Sequence, residues 1–143
     1  MERILIYLTA VAGLAKDLHY EYAGTTFYGN HLLMDRIYDD IYDLIDEIKE
    51  NYYMYLGKAV PTSEEIFAKT AEILKNISTV GVKTRTLIDY MKNVIYLCDE
   101  ESKKDKYDCG DNDLLGRIAS KMKNGVALLT RVIEQKEGVN ATS

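Results

Sequence analysis

Between Gly24 and Gly57 the sequence keeps one helical period without a proline: Leu33, Ile37, Leu44, Ile48 and Tyr55 share a side when each residue advances by about 100°. This spacing predicts a single helix from about residue 27 to 56, roughly eight turns long. Such a helix constrains the rest of the chain, because its apolar face needs cover along its whole length and other long helices are the natural cover. The flanking sequence supplies them. Ile4, Tyr7, Leu8, Val11, Leu14, Ala15 and Leu18 predict a first helix over about 2–22, with Gly24 in the left-handed cap position and Thr25 or Thr26 capping the long second helix. Pro61 marks a turn, and Thr62 with Glu65 has capping-box spacing for a short helix. Further long helices are expected over about 83–103 and 112–135, separated by the polar loop "SKKDKYDCGDN", and residues from about 136 read as a frayed tail.

This order predicts one all-α domain with the ferritin-like topology: a four-helix bundle with a short extra helix in the crossover between the second and third helices. A plain up-down bundle needs no such connection. The 143 residues, 47% hydrophobic with one proline and no tryptophan, suit a single helical core. Two cysteines, Cys98 and Cys109, are too few for a disulfide framework and point to a reducing cytoplasm. "RILIYLTAVAGLA" has the outline of a signal peptide, yet its apolar spacing runs on past Lys16 and Asp17, so it reads as a structural helix. It is too short to span a membrane. A net charge of −5 argues against a polyanion partner and suits a cation.

The long second helix is also acidic, with seven Asp and Glu residues between positions 29 and 50. On its wheel His31, Asp35, Asp46 and Glu50 lie on a side away from the core, with Met34, Tyr38, Tyr42 and Ile45 beside them. Apolar residues there suggest a second buried contact, for which another copy of the chain is the natural candidate. His31 with Asp35, and Asp46 with Glu50, are i, i+4 pairs, and each pair can converge on one ion. The pairs stand about 16 Å apart along a straight helix, so one chain cannot close the site. A two-fold partner can, by facing the first pair of one copy with the second pair of the other. His19, near the end of the first helix, can reach the His31 region.

Two imidazoles and three carboxylates suit iron first, with manganese or zinc as substitutes. From the residues alone a solvated acidic face, with structural histidines, stands beside the metal reading. The core di-iron arrangement is disfavoured, because it needs Glu-x-x-His pairs and neither histidine has a Glu three residues before it.

The stretch "LHYEYAGTTFYGNHLLMD", followed by "DEIKE", resembles the Dps-type mini-ferritins. Their pattern is His, an aromatic, a polar residue and Gly, then Phe, His-x-x-x-Asp and Asp-x-x-x-Glu, matched here by His19, Gly24, Phe27, His31, Asp35, Asp46 and Glu50. The resemblance implies a hollow dodecamer built from two-fold dimers. His19, His31 and Asp35 of one subunit and Asp46 and Glu50 of its mate would form a ferroxidase site, where iron(II) is oxidised by peroxide, or more slowly by oxygen, for storage as iron(III) mineral. A ferritin-like shell or interaction protein that binds metal without significant turnover is the alternative.

Tyr20 takes the place of a tryptophan found in many members, as an electron donor or radical quencher, or merely as packing. Asp113, with Asp111 and Asp108, would line an iron-admitting pore; the other reading is a polar loop in which Asp111 caps a helix. DNA-binding members carry a mobile Lys-rich tail that does not match "EQKEGVNATS". Direct DNA binding is not expected, since twelve copies would carry a charge of about −60.

Overall fold

The computed structural model describes the backbone of residues 1–142 and the side chains of residues 1–134. Its first helix, α1 (Glu2–Glu21), is buried around much of its circumference: Ile4, Leu5, Leu8, Val11, Ala12, Ala15 and Leu18 are each at most 1% exposed. Three neighbours explain this, because α1 packs against α2 (Phe27–Tyr38), α4 (Ser63–Leu74) and α5 (Val80–Ser102), with a smaller contact to α3 (Ile41–Glu47). Its alanines let those neighbours come close. The final helix, α6 (Cys109–Thr142), lies along α5 and also touches α2. Among the described residues every regular element is helical, so the fold is all-α.

Facing stripes at helical spacing form the core between the last two helices: Leu87, Met91, Val94 and Cys98 on α5, and Leu114, Leu115, Ile118 and Met122 on α6. Gly125 marks a close approach, since a Cβ there would stand 2.7 Å from the Met91 sulfur and 3.5 Å from Ile37. At the far end of α1, buried Lys83 on α5 ties the helices together through Glu21, at 2.5 Å, and Asp17, at 3.4 Å. Among the described residues no helix is long and apolar enough to cross a membrane.

The expected 27–56 helix is broken. Asp39 leaves α2 with ψ 143°, and Asp40 adopts a left-handed conformation at φ 67° before α3 begins. Aspartate is a weak helix former that tolerates this region, and the adjacent Asp39, Asp40 and Asp43 repel one another in a continuous helix. After α3 the chain winds into a π-helical segment, Ile48–Met54, whose wider turn is continued by Tyr55 N–H donating to the Glu50 carbonyl at 2.9 Å.

Both changes reset the helical phase. Ile45, expected on the outer stripe, is a core residue at 7% exposure, while Tyr55, expected in the core, is 78% exposed. Met34, also expected on the outer stripe, precedes both changes and is fully buried because α2 packs against both α1 and α6. Tyr42 stays largely exposed as expected.

The other boundaries follow local chemistry. Gly24 takes φ 97°, the left-handed turn expected of it, and Gly57 also turns left-handed at φ 65°. Thr62 accepts from the Glu65 N–H at 3.2 Å and starts α4, as its spacing suggests. Thr26 precedes α2 without capping it through its side chain. At α6 the cap is Asp108, which accepts from the Asp111 N–H at 2.8 Å; Asp111 itself is inside the helix. α6 continues to Thr142, past the end expected near 135, and the side chains of that tail lie outside the described residues.

Candidate metal centre

His19 lies in the last turn of α1 and His31 in the second turn of α2, and the short connection through Gly24 folds the two helices side by side. His31 Nδ1 is 2.7 Å from the His19 carbonyl, and His19 Nδ1 is 3.0 Å from the His31 carbonyl. A carbonyl only accepts, so each Nδ1 carries a hydrogen, which leaves Nε2 as the nitrogen of each ring that can offer a lone pair to a metal. That is the tautomer of a metal-ligating histidine whose other nitrogen is anchored to backbone. The rings are stacked, with centroids 3.5 Å apart and an interplanar angle of 23°. His31 also satisfies a carbonyl at the C-terminal end of α1 that the helix leaves without a partner.

Asp35, one turn beyond His31, brings Oδ1 to 3.2 Å from His19 Nδ1 and 3.6 Å from the Lys16 ammonium. The carboxylate therefore faces the Nδ1 edge of His19, away from its Nε2. Its 41% side-chain exposure leaves it room to turn. Lys16 had no assigned role in the sequence, although it precedes His19 by three residues and so shares its face. Its ammonium also lies 4.8 Å from the centroid of Tyr38 and 5.7 Å from that of Tyr20. Phe27 packs 5.1 Å from the His31 ring, and Tyr20 meets His19 edge-on at 4.9 Å while remaining 71% exposed.

Asp46 and Glu50 do not join this group. Asp46 is on α3 and Glu50 in the π-helical segment, both exposed and beyond the break at Asp39 and Asp40. Among the described residues no three His, Cys, Asp or Glu side chains are disposed to hold one ion. The chain thus gathers His19, His31 and Asp35 at one place and leaves the second pair apart.

The three acids near the last loop have separate settings. Asp108 is engaged as the helix cap, and Asp113 is paired with Arg117 at 3.0 Å, which also reaches Glu47 at 2.8 Å. Asp111 is buried, and burial, followed by the nearby Asp108 charge, raises its pKa above the usual carboxylate value. Both cysteines are free: Cys98 is buried with its thiol pushed up to about 12 by burial, while Cys109 is exposed at the start of α6. No protein-family model matches this chain, and no curated protein is significantly similar to it.

Proposed function

We propose that this chain is a mini-ferritin of the Dps type, which oxidises iron(II) with hydrogen peroxide, or with oxygen, and stores iron(III) in the cytoplasm inside a hollow shell of twelve copies. The observation that carries this reading is the reciprocal histidine pair. Two imidazoles from adjacent helices, each fixed through Nδ1 to the other's main chain, leave Nε2 as the donor atom of each ring, with the Asp35 carboxylate at the Nδ1 edge of His19. Purely structural histidines need no matched tautomer. The helix order agrees with a ferritin-like four-helix bundle, in which α1, the α2–α3 limb, α5 and α6 are the long members and α4 sits in the crossover.

In this reading a two-fold partner brings Asp46 and Glu50 to the histidines, and exposed Tyr28, Leu32 and Tyr42 belong to the contact between copies. Iron(II) is the substrate. Two ions each give one electron to one peroxide, which takes up two protons and leaves as two waters. The carboxylates, as hard donors, favour the iron(III) product and so draw the ion across the oxidation. Asp35 must turn from His19 Nδ1, and Lys16 must withdraw, for the carboxylate to meet the ion.

Mixing the protein anaerobically with iron(II) and peroxide, and following iron(III) absorbance, tests the reading. Oxidation above the protein-free rate is expected. Binding without faster oxidation would instead favour a metal-binding shell protein. A solution particle of 16.3 kDa, the mass of one chain, would contradict both the shell and the shared site.

A further inference from the structure

We propose that Tyr107 is a one-electron oxidation site, with Glu101 taking the phenolic proton as the electron leaves. Tyr107, in the loop before α6, donates its hydroxyl hydrogen to Glu101 Oε2 near the end of α5. Its ring centroid lies 5.5 Å from that of Tyr52, which in turn meets Tyr53 edge-on at 4.9 Å. The π-helical segment supplies both of these partners, so three tyrosines from two separate parts of the chain form a row of ring contacts that ends at the Glu101 carboxylate. The group sits beside Met1, at the opposite end of α1 from His19, about 27 Å away along the helix.

Proton management separates Tyr107 from the other tyrosines. An oxidised phenol is a far stronger acid than a carboxylic acid, so it must shed its proton at once, and a base already hydrogen-bonded to the hydroxyl takes it without rearrangement. Burial opposes charge on Glu101. Hydrogen bonds from Lys104 and Tyr107 and the nearby N-terminal ammonium outweigh it and hold the pKa at about 2, so the acceptor is ionised at neutral pH.

Tyr52 has the opposite arrangement. Its hydroxyl accepts from the Lys58 ammonium at 2.9 Å, and the same ammonium stands 4.3 Å from its ring centroid, which disfavours removing an electron there. Lys106 lies 5.1 Å from the Tyr107 centroid and works against oxidation, but it is 3.9 Å from Glu101 and the phenol itself bonds to the carboxylate. With hydroxyl radical as oxidant, the radical becomes hydroxide, the Tyr107 O–H bond breaks, its proton goes to Glu101 and a neutral tyrosyl radical remains. A hole formed on Tyr52 reaches the same end through the adjacent ring.

The test uses the metal-free chain, radiolytically generated hydroxyl radical and a nitroso spin trap, with adducts mapped by peptide mass spectrometry. It is therefore independent of iron oxidation. Half-buried Tyr107 should carry more adduct than Tyr55, Tyr20 and Tyr28, which are 78%, 71% and 69% exposed. Glu101→Gln, which retains a hydrogen-bond acceptor but removes the base, should lower the Tyr107 adduct about tenfold and shift label to the exposed tyrosines. Tyr107→Phe should shift it likewise. A labelling pattern that follows exposure alone, or that is unchanged in Glu101→Gln, would overturn the assignment.

Discussion

His19 and His31 each donate Nδ1–H to the other's main-chain carbonyl, at 3.0 and 2.7 Å, so the two helices are joined by the same bonds that fix both imidazole tautomers. Stability and donor geometry are therefore linked. His31→Ala removes one bond and leaves the partly buried His19 carbonyl unpaired, at a cost of about 1–2 kcal/mol. Urea unfolding should read that loss, and cobalt(II) titration should show weaker binding in the same variant.

Gly125 and Gly116 lie on the same helix and should respond oppositely to alanine. A Cβ at Gly125 would meet the fully buried Met91 sulfur at 2.7 Å, whereas at Gly116 no atom beyond its own stretch of helix comes within 4 Å. Gly125→Ala should destabilise by about 1–3 kcal/mol through overpacking. Gly116→Ala should stabilise by roughly 0.5–1 kcal/mol through helix propensity. Thermal denaturation of the two single variants checks both signs.

The Glu101 carboxylate gives a pH signature. Burial would raise its pKa, but Lys104, Tyr107 and the N-terminal ammonium hold it at about 2, below the ordinary Glu value of about 4.3. Its contribution to stability is thus present above about pH 4.3 and is lost as pH falls towards 2. Glu101→Gln should flatten the acid limb of a stability-against-pH curve within that window.

The cysteines should differ in reactivity. Cys98 is 2% exposed and its thiol is pushed up to about 12 by burial, so a thiol reagent should modify native protein at Cys109 alone. A second equivalent should react only on unfolding in denaturant. Peptide mapping after alkylation identifies the residue.

Much of the helical order was legible because it rests on local signals. Thr62 and Glu65 form the hydrogen bond that their spacing suggests, and Gly24 takes the left-handed turn expected of it. The break at Asp39 and Asp40 was not legible. No proline or glycine marks it, and the apolar period continues through it; adjacent acids that tolerate a left-handed residue were the available clue.

Within the candidate site, the sequence placed His19 near His31 and Asp35 correctly, because a short turn leaves two helix ends little freedom. It did not reveal that Asp35 would face Nδ1, or that Lys16 would stand against it. Those details depend on side-chain direction and on the crossing of α1 with α2, which residue spacing does not encode. Likewise, Asp108 takes the cap expected of Asp111 because α6 begins two residues before that position.

The claim that a second chain completes the metal centre is tested most directly by co-assembling two inactive variants. Asp35→Ala and Glu50→Ala each remove a donor from both sites of a symmetric dimer, but a mixed dimer keeps one site with every donor intact. Peroxide-driven iron(II) oxidation should be lost in each pure variant and restored when the two are unfolded, mixed and refolded together. Co-assembled particles with no more activity than the pure variants would contradict a site shared between two chains.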